Sequence, residues 1–158
     1  MAVSKTNAMR ILDAKKIPYE LFTYTNDDGN IDGISVAQKI GKDHRMVYKT
    51  LVASGLSKNL FVYIIPVSEE LDLKKAAKVA NEKKVDLVPV KEILNLTGYI
   101  RGGCSPVGMK KLYPTFIDQS AQDIPQIIVS GGKIGIQLQI EVSQLVSITN
   151  AKLVELIK

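Results

Sequence analysis

The fourteen residues Gly98-Tyr99-Ile100-Arg101-Gly102-Gly103-Cys104-Ser105-Pro106-Val107-Gly108-Met109-Lys110-Lys111 constrain any fold this chain can adopt. With Gly98, Gly102, Gly103, Gly108 and Pro106, the stretch can be neither a helix nor a strand interior. Glycine opens positive φ, and proline removes a backbone donor. What remains is a loop whose N–H groups can converge on an anion or a polarised carbonyl. A generic Gly/Pro segment is a structural turn. Here the length and the three cations Arg101, Lys110 and Lys111 favour a functional loop.

The 158 residues suit one domain spanning 1–158. Hydrophobic content of 46% beside 23% charged residues is globular. No run of about eighteen apolar residues occurs, so no membrane span is expected. Met1 to Arg10 lacks an apolar signal core, and a cytoplasmic location is expected. The single cysteine excludes an internal disulfide or a multi-cysteine zinc cage. The single histidine, His44, excludes the usual histidine metal sites, so neither metal nor cofactor is expected. A charge of +5 points weakly to a polyanionic partner.

Taken in order, Ser4 can cap a first helix with Ala8, Ile11 and Leu12 on one face, ended by Pro18. Tyr19 to Thr25 reads as a strand with Leu21 inside. The polar stretch Asn26 to Gly33 reads as a loop, and Ser35 to Ile40 as a short helix stopped by Gly41. Met46 to Ser54 and Leu60 to Val67 form a hairpin. Asp72 caps a helix reaching about Asn81. Val85 to Val90, with Pro89, is an edge strand. A short helix, Lys91 to Leu96, leads into the glycine-rich loop. Thr115 to Asp118 is a brief strand. Ile127 to Ser130 and Ile134 to Ile140 form a hairpin around Gly131-Gly132-Lys133, with only the isoleucine/leucine face of the second strand buried. Glu141 to Ile148 is a helix, and Lys152 to Ile157 a last strand or tail. The sum is a mixed α/β domain whose curved, partly closed sheet carries helices outside. It lacks the regular alternation of a doubly wound fold.

Among residues able to carry chemistry, Lys49 stands in the apolar strand Met46-Val47-Tyr48-Lys49-Thr50-Leu51-Val52, on the face of Val47 and Leu51. An inward lysine needs a reason, because an unpaired buried ammonium is costly; an edge position from which it snorkels to water is the alternative. Ser130 precedes the second glycine turn and could present its hydroxyl at a pocket mouth. Neither glycine loop fits a phosphate-binding loop. Cys104 as a nucleophile would need a base, and His44 sits in a distant polar loop, so an inert side chain is the reading. Tyr24 reads as pocket lining. Lys74, Lys75 and Lys78 form either a solvated helix face or a phosphate-contacting surface.

Three pieces stand together: Tyr48-Lys49-Thr50-Leu51, the stretch from Gly98 to Lys111, and Val129-Ser130-Gly131-Gly132-Lys133-Ile134-Gly135. In this order and spacing the chain resembles the YbaK/EbsC family of trans-editing aminoacyl-tRNA deacylases, in particular the branch acting on Cys-tRNA(Pro) and Cys-tRNA(Cys). The resemblance covers almost the whole chain. It implies the barrel-like fold of editing domains associated with prolyl-tRNA synthetase. It gives Lys49 the key lysine role and Gly102 the backbone contact to the substrate carbonyl, and it places Tyr24, Thr50 and Ser130 in the pocket. The chain departs from relatives at Ile31-Asp32-Gly33, where they place an aromatic, and at Cys104, where they can carry an aliphatic residue. It also departs at Gln137, near a position acidic in some members.

The implied substrate is the aminoacyl ester at the 3′ end of tRNA, its oxyanion met by N–H groups of Gly102 and Gly103, at about 3 kcal/mol per donor. Arg101 would join the substrate contacts. Lys74, Lys75, Lys78, Lys110 and Lys111 would contact the tRNA backbone in a salt-sensitive, sequence-blind way. Prolyl-tRNA synthetase is the implied partner; neither a membrane nor recognition of DNA sequence is expected. The implied reaction uses the thiolate of the substrate cysteine. An Ala-tRNA(Pro) hydrolase using water, and a non-catalytic module that binds aminoacyl-tRNA or a synthetase, are the rivals.

Overall fold

The computed structural model describes residues 4–158. Met1, Ala2 and Val3, part of the stretch read as lacking a signal core, lie outside the described residues. No helix among the described residues is long and apolar enough to cross a membrane.

Helix α1 (Asn7–Ala14) is capped by Thr6, not Ser4: the Thr6 hydroxyl accepts from Met9 N at 3.2 Å, a reach that a residue two positions earlier does not have. The same hydroxyl donates to the Gly131 carbonyl at 2.5 Å, joining the chain start to the second glycine loop. Strand β1 (Glu20–Thr23) follows. Leu21, expected inside, is 40% exposed. Strand alternation turns Phe22 toward cover instead, on an edge strand with one neighbour only. Helix α2 (Gly33–Lys39) starts two residues before the expected Ser35, because Asp32 accepts from Ser35 N at 3.1 Å.

Strands β2 (Tyr48–Gly55) and β3 (Leu60–Pro66) form the expected antiparallel hairpin, with Lys49 opposite Ile65 and Leu51 opposite Tyr63. Asp72 caps α3 (Leu73–Val79) as expected, accepting from Lys74 N and Lys75 N. Strand β4 (Val85–Leu87) lies at a sheet edge as expected but stops short of the expected Val90, because Pro89 has no N–H to pair and a short 3-10 turn starts at Val90. Helix α4 (Ile93–Thr97) leads into the glycine-rich stretch, which contains no helix or strand. Strands β5 (Thr115–Asp118), β6 (Gln126–Ser130) and β7 (Ile136–Glu141), helix α5 (Val142–Thr149) and strand β8 (Lys152–Val154) complete the order. β7 begins at Ile136, not Ile134, because the turn extends to Gly135.

The mixed α/β class holds, and the partly closed barrel does not. Five strands pair in the order β4-β2-β3-β5-β8, and three in the order β1-β7-β6. The two sheets meet at one isolated parallel bridge, Val47 to Ile128. Along the outer edge of β2, β4 pairs only from Ala53 to Gly55. The first half of that edge faces β6, and the ladder stops after one bridge. Between the sheets lies the main core, including Leu12, Val52, Ile64, Ile127, Leu138 and Leu145. A second cluster beneath α3 contains Ala53, Ile65, Ala76 and the stacked pair Tyr63 and Phe116, 5.5 Å apart. The five-stranded sheet is thus buried on both faces, which is why β3 reads as a continuous apolar run. Full burial of each large aliphatic side chain contributes about 1.5–3 kcal/mol.

Candidate active site

The site lies where the two sheets part. Just beyond the Val47–Ile128 bridge, Lys49 and Ser130 line a cavity of about 110 Å³. Strand β2 presents Lys49 and Thr50, the end of β6 presents Ser130, and the start of β7 presents Gln137. Gly102 and Cys104 enter from the glycine-rich loop, and Ile31, Gly33 and Val36 from the segment around the start of α2.

Two glycines let the loop approach this closely. Gly102 has φ +84°, and a Cβ there would stand 2.9 Å from Ile31 Cδ1. At Gly103 a Cβ would stand 2.9 Å from the backbone N of Ile134, so the two glycine-rich segments dock backbone to backbone. The Gly103 N–H, expected to face the substrate, instead donates to the Ile100 carbonyl at 3.0 Å, closing a turn. That turn leaves the Gly102 N–H without a backbone acceptor among the described residues.

Lys49 is half-buried and forms no ion pair among the described residues. Glu70 lies within its electrostatic reach, but that carboxylate is paired with Lys158 at 3.0 Å. Thr50 Oγ1 is buried without a hydrogen-bond partner, and so is the Tyr24 hydroxyl. Orphaned buried hydroxyls are costly, and at a cavity they are positions for a ligand's polar atoms. Tyr24 is tied to the second glycine turn, donating from its backbone N to Gly135 O at 3.0 Å, but it is not among the residues lining the cavity. The Ser130 hydroxyl accepts from Gly132 N at 3.4 Å.

Cys104 does line the cavity, yet burial pushes its thiol up to about 11, and its sulfur lies 3.9 Å from Thr97 Oγ1. A thiol with that pKa is protonated at neutral pH and a poor nucleophile. His44 is exposed, in a short 3-10 turn capped by Asp43, and does not line the cavity. The described lining therefore contains no activated nucleophile and no histidine base.

Arg101, Lys74, Lys78, Lys110 and Lys111 are exposed and line no part of the cavity. Arg101 is the neighbour in sequence of Gly102, which does line the cavity. Lys110 donates to Asn95 O at 3.0 Å. Lys75, expected on a free cationic face, pairs with Glu155 at 2.7 Å and donates to Ile157 O at 2.7 Å, because α3 packs beside the chain's end. Sequence reasoning missed Val36 and Val67 as walls, since no local pattern marks them, whereas Ile31, in the segment where relatives place an aromatic, does line the cavity. It also expected the polar face of β7 to be open, whereas Gln137 is 6% exposed. β7 is the middle strand of its sheet, and Gln137 faces the seam.

The site thus combines one cation, a backbone donor at Gly102 without a backbone acceptor and the orphaned Thr50 hydroxyl, with no activated protein nucleophile among the described lining. The family model for the aminoacyl-tRNA editing domain matches residues 32–148. A protein of Enterococcus faecalis assigned as Cys-tRNA(Pro)/Cys-tRNA(Cys) deacylase EbsC is 41% identical over 152 residues, covering 96% of this chain and 93% of that protein. Two crystal structures share the fold. One, assigned as a trans-editing enzyme for prolyl tRNA synthetase, has a TM-score of 0.84 at 21% identity and covers 99% of each chain. The other, hypothetical protein APE2540, has a TM-score of 0.88 at 20% identity, covering 97% of this chain and 100% of that one. The chain belongs to the aminoacyl-tRNA editing domain family, in its YbaK/EbsC branch.

Proposed function

We propose that this aminoacyl-tRNA deacylase releases cysteine in trans from Cys-tRNA(Pro) and Cys-tRNA(Cys), with the substrate's own sulfur as nucleophile. Two supports come from the family and from the 41% identical Enterococcus faecalis protein assigned that activity. The observation that carries the mechanism is chemical: an unpaired Lys49 ammonium faces a cavity whose one thiol is held protonated.

The cysteinyl thiol loses its proton, and its sulfur attacks the ester carbonyl carbon. A C–S bond forms and the ester C–O bond breaks. The 3′ oxygen of the terminal ribose leaves and takes up a proton, giving a cysteine thiolactone and free tRNA. A thiol of ordinary pKa near 8.5 is partly ionised at neutral pH, and a neighbouring ammonium raises that fraction. Lys49 supplies that positive potential and anchors the terminal nucleotide. The Gly102 N–H donates to the oxyanion, an interaction worth about 3 kcal/mol. Thr50 and Ser130 offer hydroxyls to the aminoacyl adenosine, and Arg101, Lys110 and Lys111 hold its phosphates. Prolyl-tRNA synthetase would supply the tRNA choice that such sequence-blind contacts lack.

The decisive measurement compares tRNA(Pro) charged with cysteine, S-methylcysteine, alanine and serine. Release of cysteine alone, with a thiolactone as first product, is expected. Equal loss of the S-methyl ester excludes the thiol mechanism, rapid loss of alanine alone makes the chain a water-using Ala-tRNA(Pro) hydrolase, and no loss above the uncatalysed rate leaves a binding module.

A further inference from the structure

We infer that Lys39, outside the cavity, is a positioning residue that holds the Ile31 wall and so sets the length of aminoacyl group the cavity accepts. The inference rests on the deacylase reading above. Lys39 ends α2, and its side chain is 22% exposed. Its ammonium donates to Thr25 O at 2.9 Å, to Asp28 Oδ1 at 2.8 Å and to Asn30 O at 2.9 Å. Those three acceptors match the three protons of an ammonium, so the group is saturated by one loop. It also sits 5.8 Å from the centre of the Tyr24 ring, within cation–π range.

The loop so gathered delivers Ile31 directly to the cavity, and Ile31 Cδ1 abuts Gly102, the residue given the oxyanion contact. The helix behind it is fixed at both ends, by the Asp32 cap at its start and by Lys39 at its end. Apart from Ile31 and Gly33, residues 25–33 make no contribution to the cavity lining, so Lys39 acts through the wall and not on the substrate. Two of its three acceptors are backbone carbonyls, so the strap depends on lysine's flexible point charge; arginine's planar fork presents a different geometry.

Cysteinyl and homocysteinyl esters of tRNA(Pro) separate this role from general stability, because both carry a thiol and differ by one methylene. Lys39→Met is expected to shift the ratio of kcat/KM values for the two esters toward homocysteine by about tenfold, the size one methylene supports in an apolar pocket. Ile31→Ala should shift it similarly, and the double variant no further. Asp28→Ala, which removes one acceptor, should give a smaller shift in the same direction and serves if Lys39→Met does not fold. An unchanged ratio in both Lys39→Met and Asp28→Ala, or a double variant equal to the product of the two singles, overturns the inference. Amide hydrogen exchange in residues 25–31 should speed in Lys39→Met while that in β2 and β3 does not; uniform change across the chain also overturns it. If wild-type protein cleaves neither ester, the deacylase reading fails, and the exchange measurement still decides the strap.

Discussion

Lys49 sits half-buried and unpaired beside a cavity, so its removal should cost chemistry and not stability. Lys49→Ala is expected to lower deacylation of Cys-tRNA(Pro) by about 10²–10³-fold, the scale of losing an electrostatic contact to the transition state. The melting temperature should stay within a degree or two, since ordinary positions without a buried partner change stability by about 0.5 kcal/mol or less. Equal rates in the two proteins would remove Lys49 from the mechanism. Cys104→Ser is expected to keep most of the activity, because the thiol is protonated and the attacking sulfur arrives with the substrate. The same residue has a pH signature. Burial raises its pKa from the ordinary thiol range to about 11 in the folded chain, so the folded state holds its proton more tightly than the unfolded one. That contribution is complete below pH 9 and is lost as pH rises toward 11, at up to about 1.4 kcal/mol per pH unit. Thermal melts from pH 8 to 10 should therefore fall less steeply in Cys104→Ser than in wild type.

At the scale of elements, local signals were legible wherever a side chain acts on its own backbone. Asp72 capping α3, Pro89 marking β4 as an edge strand and the two hairpins needed only neighbouring residues. The misses have equally local causes: Thr6 reaches Met9 N where Ser4 does not, and Asp32 draws the start of α2 back to Gly33. Asp118 shows what local reading overlooks. It ends β5 and is 1% exposed, and its carboxylate accepts from Ser120 N at 3.1 Å and from Leu156 N at 3.0 Å. One side chain thus caps the turn that follows β5 and clamps the segment after β8. Asp118→Ala strands both donors and is expected to destabilise the protein by about 2–4 kcal/mol. A change in unfolding free energy from urea melts of under a quarter of that size would show the clamp to be dispensable.

Over the whole molecule, the cations fall into two classes that composition does not separate. Arg101, Lys110 and Lys111 belong to the segment that also forms the cavity wall at Gly102, whereas Lys75 is held by Glu155 and Ile157 O near the chain's end. Neutralising Lys111 should reduce the slope of log(kcat/KM) against log salt by about 1, as for one lost phosphate contact, whereas Lys75→Ala should leave the slope unchanged. Equal effects would place the tRNA across α3 as well.

The glycine-rich break, the lysine inside an apolar strand and the serine before a second glycine turn follow from residue chemistry at close range, and they singled out Lys49, the loop around Gly102 and Ser130 as candidates, while Thr50 and the particular role of Gly102 came only from the family resemblance. The separation of the two sheets beyond the Val47–Ile128 bridge was not available at that range. Nor were the internal use of the Gly103 N–H, the walls formed by Val36 and Val67 or the pairing of Lys75. Each depends on which segments, distant along the chain, come to lie side by side. Packing of the whole core sets that register, and no single stretch of residues encodes it.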